Sequence, residues 1–271
     1  MCGVFSAALL TMATVVACSD TPEATDGRSP SASQTPASPM DSSSPSTEPA
    51  GSRPVHFRAV DGVRLEGRLF GRGRIGVVLS HMGRGGDDQS DWFSLASVLA
   101  ERGYLVLTYN RRGVCPGGEE GCSSGKDDLP EHWKDVLGAL RFVRDVGART
   151  VFTGGASIGA MATFYAAQQP GIDVDGVIWV AGVDIGSGYL FQRADVSGVA
   201  GPKLFISARD DSYGGAYSAR LMYRWSVPPR ELELVRSNLH GTDMVLEDPA
   251  GAGAEVTDAI LRFIERYSST T

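Results

Sequence analysis

The chain has 271 residues, 42% hydrophobic and 21% charged, with a formal net charge of −7. That composition is globular and long enough for one large domain with additional segments. Only three lysines occur (Lys126, Lys134, Lys203) and no basic stripe is present, which argues against nucleic acid as a partner.

Val4 to Ala17 is an uncharged apolar run. It is shorter than the ~20 residues a spanning helix needs and reads as the apolar core of a signal peptide. The tetrad Val15-Val16-Ala17-Cys18 resembles the lipobox of bacterial lipoproteins. That resemblance implies lipidation at Cys18, export, and membrane contact through an N-terminal lipid anchor at the outer face of the cell membrane. No Lys or Arg precedes Val4, which departs from the usual signal. A secreted product cut from an ordinary signal is the alternative. Residues 19–53 are mostly Ser, Thr and Pro, with Met40 the one large apolar side chain. Such a segment buries too little to offset its ordering entropy, so a disordered linker is expected.

From Pro54 the pattern changes. Val55–Val60 and Val63–Phe70 flank Asp61-Gly62 and predict a hairpin with a two-residue turn. The second strand alternates apolar and polar, which predicts one solvated face. Ile75–His81 is a continuous apolar run, the mark of a strand buried on both faces. After the loop 82–89, Trp92, Leu95, Ala96 and Leu99 predict a helix capped by Ser90 or Asp91 and stopped at Gly103. Tyr104–Tyr109 is the next strand, followed by Asn110-Arg111-Arg112-Gly113 and a glycine-rich loop. Pro130 opens a helix carrying Trp133, Val136, Leu137, Leu140 and Val143.

Thr150-Val151-Phe152 leads as a strand into Gly155-Ala156-Ser157-Ile158-Gly159, and Met161–Gln168 follows as a helix. Strand, Gly-x-Ser-x-Gly, helix is the context of a nucleophile elbow. The turn leaves no room for Cβ atoms at its glycine corners, the serine Oγ stands at the apex, and the next N–H, that of Ile158, faces an oxyanion. Strands at Val174–Gly182, Lys203–Ala208 and Glu231–Val235 alternate with helices at Tyr217–Trp225 and around Val256–Tyr267. The alternation predicts an α/β domain over 54–271: a mainly parallel twisted sheet, helices on both faces, an antiparallel hairpin at one edge. Functional groups in such sheets gather at the carboxyl ends of the strands.

Two later strands end in residues that suit a serine nucleophile. Lys203–Ala208 runs into Arg209-Asp210-Asp211, and Glu231–Val235 runs into a loop carrying His240, which has no other histidine between it and Ser157. The order Ser, Asp, His is that of the α/β-hydrolases. On these motifs residues 54–271 resemble that superfamily, and within it the compact dienelactone-hydrolase-like serine esterases. The nucleophile of dienelactone hydrolase itself is a cysteine, where this chain has Ser157. The resemblance implies a serine hydrolase acting on carboxylic esters, small or polymer-borne, through Ser157, His240 and an acid. The acid is Asp211 from the family pattern small-x-x-Asp counted from Ala208, with Asp210 as its alternative. It also implies an oxyanion donor in His81-Met82-Gly83, where Met stands in place of the family's Gly. Gly83 takes the donor position and Met82 is its rival. Asn110-Arg111-Arg112-Gly113 matches the family's Asp-x-Arg-Gly turn, with Asn for Asp, and implies a structural role.

Other residues carry plainer readings. His81 packs behind the oxyanion loop, and His56 and His132 are expected in solvated positions. No metal or cofactor site is expected: Asp87-Asp88 reads as a solvated pair, and Gly71-x-Gly73-x-x-Gly76 precedes a strand rather than following one. Cys115 and Cys122 share one loop, and in an exported protein a local disulfide is expected. Fewer than 25 residues lie between the strand ending at Gly182 and the next at Lys203, too few for a large cap domain. An acyltransferase using the same residues, or a non-catalytic lipoprotein that keeps the fold for binding, are the competing readings.

Overall fold

A computed structural model describes residues 51–118 and 120–268. The expected signal peptide, Cys18 and almost all of the expected linker lie outside the described residues. Eight strands form one sheet: β1 (Ser52–Arg58), β2 (Arg64–Gly71), β3 (Ile75–Ser80), β4 (Leu105–Tyr109), β5 (Thr150–Ala156), β6 (Gly176–Val180), β9 (Lys203–Ala208) and β10 (Arg230–Val235). A two-stranded ribbon, β7 (Ile185–Gly186) and β8 (Tyr189–Leu190), lies between β6 and β9 in the chain. The order across the sheet is β1-β2-β4-β3-β5-β6-β9-β10. β2 runs antiparallel to both β1 and β4, and from β4 to β10 every neighbour is parallel.

Helices α1 (Phe93–Glu101) and α7 (Ala252–Ser268) bury Leu95, Leu99, Val256, Ile260 and Ile264 on one face of the sheet. Helices α2 (His132–Asp145), α3 (Ile158–Ala167) and α5 (Gly215–Trp225) bury Val136, Leu140, Phe164 and Met222 on the other. Each such side chain contributes about 1.5–3 kcal/mol by leaving water, so the double layer stabilises both faces. Two short helices, α4 (Arg193–Gly198) and α6 (Asp243–Leu246), lie in connections. No helix among the described residues is long and apolar enough to cross a membrane.

The structure corrects four local expectations. The first strand begins at Ser52, two residues before the expected boundary, and carries Pro54 opposite Arg68. β1 is an edge strand, where a missing N–H is tolerated. The hairpin turn has three residues, not two. Gly62 N–H bonds the Ala59 carbonyl, Ala59 N–H bonds the Val63 carbonyl, and Gly62 sits at φ +90°, a tight turn followed by a left-handed residue. β2 has no solvated face, because Glu66 and Arg68 are buried. Gly121 lies against the Glu66 side chain and Arg68 lies over the Phe93 ring; Glu66 N–H bonds Ser123 Oγ at 2.9 Å and Ser124 N–H bonds the Arg64 carbonyl at 2.8 Å. Finally, the helical segment is capped by Asp88, whose carboxylate accepts from Ser90 N–H at 2.7 Å. A 3-10 turn at Gln89–Trp92 precedes α1 and moves the start back.

Candidate active site

β5 reaches the carboxyl edge of the sheet at Ala156 and turns straight into α3. Ser157, between them, sits at φ 52°, ψ −120°. That conformation costs a non-glycine residue about 1–3 kcal/mol, and the surroundings hold it. Ser157 N–H bonds the Val180 carbonyl at 2.9 Å, and its own carbonyl accepts from Ala160 and Met161 as the first acceptor of α3. A Cβ on Gly155 would stand 2.4 Å from the Gly159 backbone, and one on Gly159 would stand 2.4 Å from the Ser80 carbonyl. These contacts are the physical reason for both glycines of the motif.

His240 follows β10, and Asp211 follows β9. His240 Nε2 lies 2.9 Å from Ser157 Oγ, and its Nδ1 lies 2.8 Å from Asp211 Oδ2. The Asp211 side chain is fully buried, and its other oxygen accepts from Tyr213 N–H at 2.8 Å. Asp210 is exposed, and its N–H bonds the Ser237 carbonyl; it is Asp211 whose carboxylate meets the imidazole. Gly215 could not be another residue here, since a Cβ would lie 2.3 Å from Asp211 Oδ2. The Tyr213 ring lies against the His240 ring, 4.5 Å between centroids and tilted by 37°.

Met82 and Gly83, after β3, face this centre. Met82 is buried, and its sulfur accepts from Thr242 N–H, two residues past His240. Arg111 donates from its guanidinium to the Met82 carbonyl. In a trans peptide the N–H points opposite to the C=O, so the Gly83 N–H is turned away from Arg111. Gly83 lies against Ile158, where an added Cβ would stand 2.7 Å from the Ile158 side chain. Ile158 opens α3, so its N–H has no acceptor within the helix. A cavity of about 160 Å³ is lined by Met82, Gly83, Arg84, Leu129, Ser157, Ile158, Ser187, Tyr213 and His240.

A polar layer backs the loop. Arg111 also reaches both oxygens of Asp127 at 3.2 Å, and Asp127 Oδ1 lies 2.9 Å from His132 Nε2. Burial lowers the His132 pKa to about 4, with the neighbouring Arg111 charge adding to the effect. The expectation that His132 is solvated is therefore wrong: it is buried at the start of α2, against Asp127. His81 is also buried, and burial together with Arg111 holds its pKa well below the ordinary histidine value. As a neutral ring it accepts the Arg111 backbone N–H at Nε2, 3.2 Å away. Arg112 clasps Asp135 and Asp61. Asp135 has its pKa pushed up to about 6 by burial, against the pull of Arg112. His56, on the edge strand, pairs with Glu66 at 2.6 Å. Cys115 and Cys122 form a disulfide.

No motif picks out three further contributors. Tyr213 packs against the imidazole, Arg84 lines the cavity, and Asp243 grips Arg84 at 2.6 and 2.7 Å. Each lies one to three residues from Asp211, Gly83 or His240, and that proximity in sequence is the available signal. Among the described residues no group of three or more His, Cys, Asp or Glu side chains is arranged to hold a metal ion.

This sheet order, with the elbow serine at its centre, defines an α/β-hydrolase fold. The α/β hydrolase GrgF from Penicillium sp. sh18 superposes with a TM-score of 0.64 at 16% identity, covering 80% of this chain and 98% of that one. The Pyrococcus furiosus esterase Pf2001 gives 0.63 at 14% identity, over 80% and 92%. The enol-lactonase from Burkholderia xenovorans LB400 gives 0.61 at 17% identity, over 77% and 99%. No family model matches the chain.

Proposed function

We propose that this protein is a serine hydrolase that cleaves carboxylic esters through an acyl-enzyme. The observation that carries the reading is the chain of contacts from Ser157 Oγ through His240 to Asp211, 2.9 and 2.8 Å long, at a strained elbow. Ser157 Oγ attacks the acyl carbonyl carbon while His240 Nε2 takes its proton. Asp211 orients the ring and stabilises the imidazolium. The developing oxyanion lies between the Ile158 and Gly83 N–H groups, each such donor being worth about 3–4 kcal/mol. Collapse breaks the bond to the alcohol oxygen, which leaves with the proton from His240. Water then attacks the acyl-enzyme, gives a proton to His240, and releases the acid and Ser157. The presence of an esterase and a lactonase among the structural neighbours supports an ester as the bond cleaved.

We further propose that the enzyme is exported and held at the membrane by a lipid on Cys18. The apolar run before Cys18 supports this, as does the Cys115–Cys122 disulfide, which suits an oxidising compartment.

A fluorophosphonate probe tests the chemistry. Wild type is expected to take one label, and Ser157→Ala none. Equal labelling of both, or no labelling of wild type, overturns the reading.

A further inference from the structure

Beside the catalytic cavity lies a second one, of about 280 Å³, and the two share Gly83 and Arg84 as a common wall. Its lining is unlike the more apolar catalytic cavity. Asp87, Asp88 and Asp127 present carboxylates, Arg84 and Arg111 present guanidinium groups, and Val114 with Pro116 of the disulfide loop forms a small apolar face. The charges are largely satisfied from within. Arg111 is paired with Asp127, and Arg84 with Asp243 and Asp87. A charged ligand would therefore have to displace an existing pair. The three carboxylates against two guanidinium groups also disfavour an anion.

Donors and acceptors are interspersed. Asp88 uses one oxygen to cap the 3-10 turn, which leaves the second for a ligand. Gly85 and Gly86 expose backbone to the cavity, and a Cβ on either would meet nothing within 4 Å. Gly85 does not have a positive φ. Neither packing nor backbone conformation requires glycine at 85, yet the residue keeps that wall open.

Groups that both donate and accept, at short spacing, are hydroxyls. From this we infer that the second cavity is the subsite for the alcohol part of the ester, and that this part is a polyhydroxylated unit such as a glycosyl group. A small acyl group occupies the 160 Å³ cavity at Ser157. The inference rests on the ester-hydrolase reading and names its substrate class.

The test compares two substrates with one acyl group, an acetylated hexoside and ethyl acetate, by acetate release. Wild type is expected to favour the hexoside ester in kcat/KM by at least tenfold. Gly85→Trp adds an indole to the cavity lining at a position where the fold has room for a side chain. It should lower that preference at least fivefold. Asp88→Asn keeps the cap and removes the charged acceptor, and should raise KM for the hexoside ester severalfold. Fluorophosphonate labelling is measured on the same samples. Labelled enzyme with no preference for the hexoside ester, or a preference that Gly85→Trp leaves intact, overturns the subsite. Absence of labelling overturns the hydrolase reading itself.

Discussion

The Arg111 guanidinium donates to the carbonyl of Met82, and so sets which way the Met82–Gly83 peptide faces. Arg111 is itself held by Asp127 from behind, and the His81 ring accepts its backbone N–H. In the proposed mechanism it acts through Gly83, as a positioning residue. Arg111→Gln is expected to lower kcat for an acetate ester by about 10–100-fold, less than the 10²–10³ found when an oxyanion donor is deleted. KM should move far less, and Arg111→Lys should recover part of the loss. Rates are taken per fluorophosphonate-titrated site. A purely structural role would lower the titre and leave the per-site kcat unchanged.

Asp211→Asn is expected to lower kcat by about 10³–10⁴, because an amide beside Nδ1 favours the wrong tautomer of His240. Asp210 is exposed and touches neither His240 nor Ser157 in the described contacts. Asp210→Asn should stay within about twofold of wild type. Steady-state kinetics on a nitrophenyl ester decides between them, and the reverse ranking would move the acid to Asp210.

The disulfide closes a short loop, Cys115 to Cys122. Loop-closure entropy for that length gives about 2–3 kcal/mol. The paired Cys115→Ser, Cys122→Ser variant is expected to melt about 4–12 °C lower, at roughly 2–4 °C per kcal/mol for a domain of this size. Thermal melts with and without reductant check this. Wild type in reductant should approach the variant, and the variant should not respond.

Asp91 stands in the 3-10 turn before α1 with one carboxylate oxygen buried and without a hydrogen-bond partner among the described residues. Burial, with Asp87, Asp88 and Asp243 nearby, pushes its pKa up to about 7. An acid whose pKa rises on folding favours the folded state less as pH increases. Below about pH 3 the group is largely protonated in both states. Between about pH 3 and 7 the unfolded chain ionises first, and stability falls. Asp91→Asn removes that loss. It should melt like wild type below about pH 3 and be more stable by about 1–3 kcal/mol at pH 8, after allowance for the part of the side chain that stays in water. Melts across that range test the sign.

Much of the fold is legible in the sequence because its signals are local. Apolar runs at β3, β4 and β6 mark strands covered on both faces, and 3.6-residue spacing marks α1, α2 and α7. The misses fall where a distant segment changes a local environment. Glu66 and Arg68 alternate like a solvated face, but the segment around Gly121 and Ser123 lies over Glu66, and Phe93 of α1 lies against Arg68. His132 opens a helix like a surface residue, but it is buried against Asp127, with the charges of Arg111 and Arg112 close by. Ser90 and Asp91 read as caps because nothing local announces a 3-10 turn one step earlier.

The candidate site divides in the same way. Gly155, Ser157 and Gly159 were determined by sequence alone, since a turn that sharp has no space for side chains at its corners. The carboxyl ends of β9 and β10 were determined too, by alternation of strands and helices. Which of two adjacent aspartates meets His240 was not, because neighbouring residues in a loop point in different directions only once the loop is closed. Nor was the facing of the Met82–Gly83 peptide, which depends on Arg111, far along the chain. Those choices belong to tertiary structure: they are made by contacts between segments distant in sequence, which no local pattern encodes.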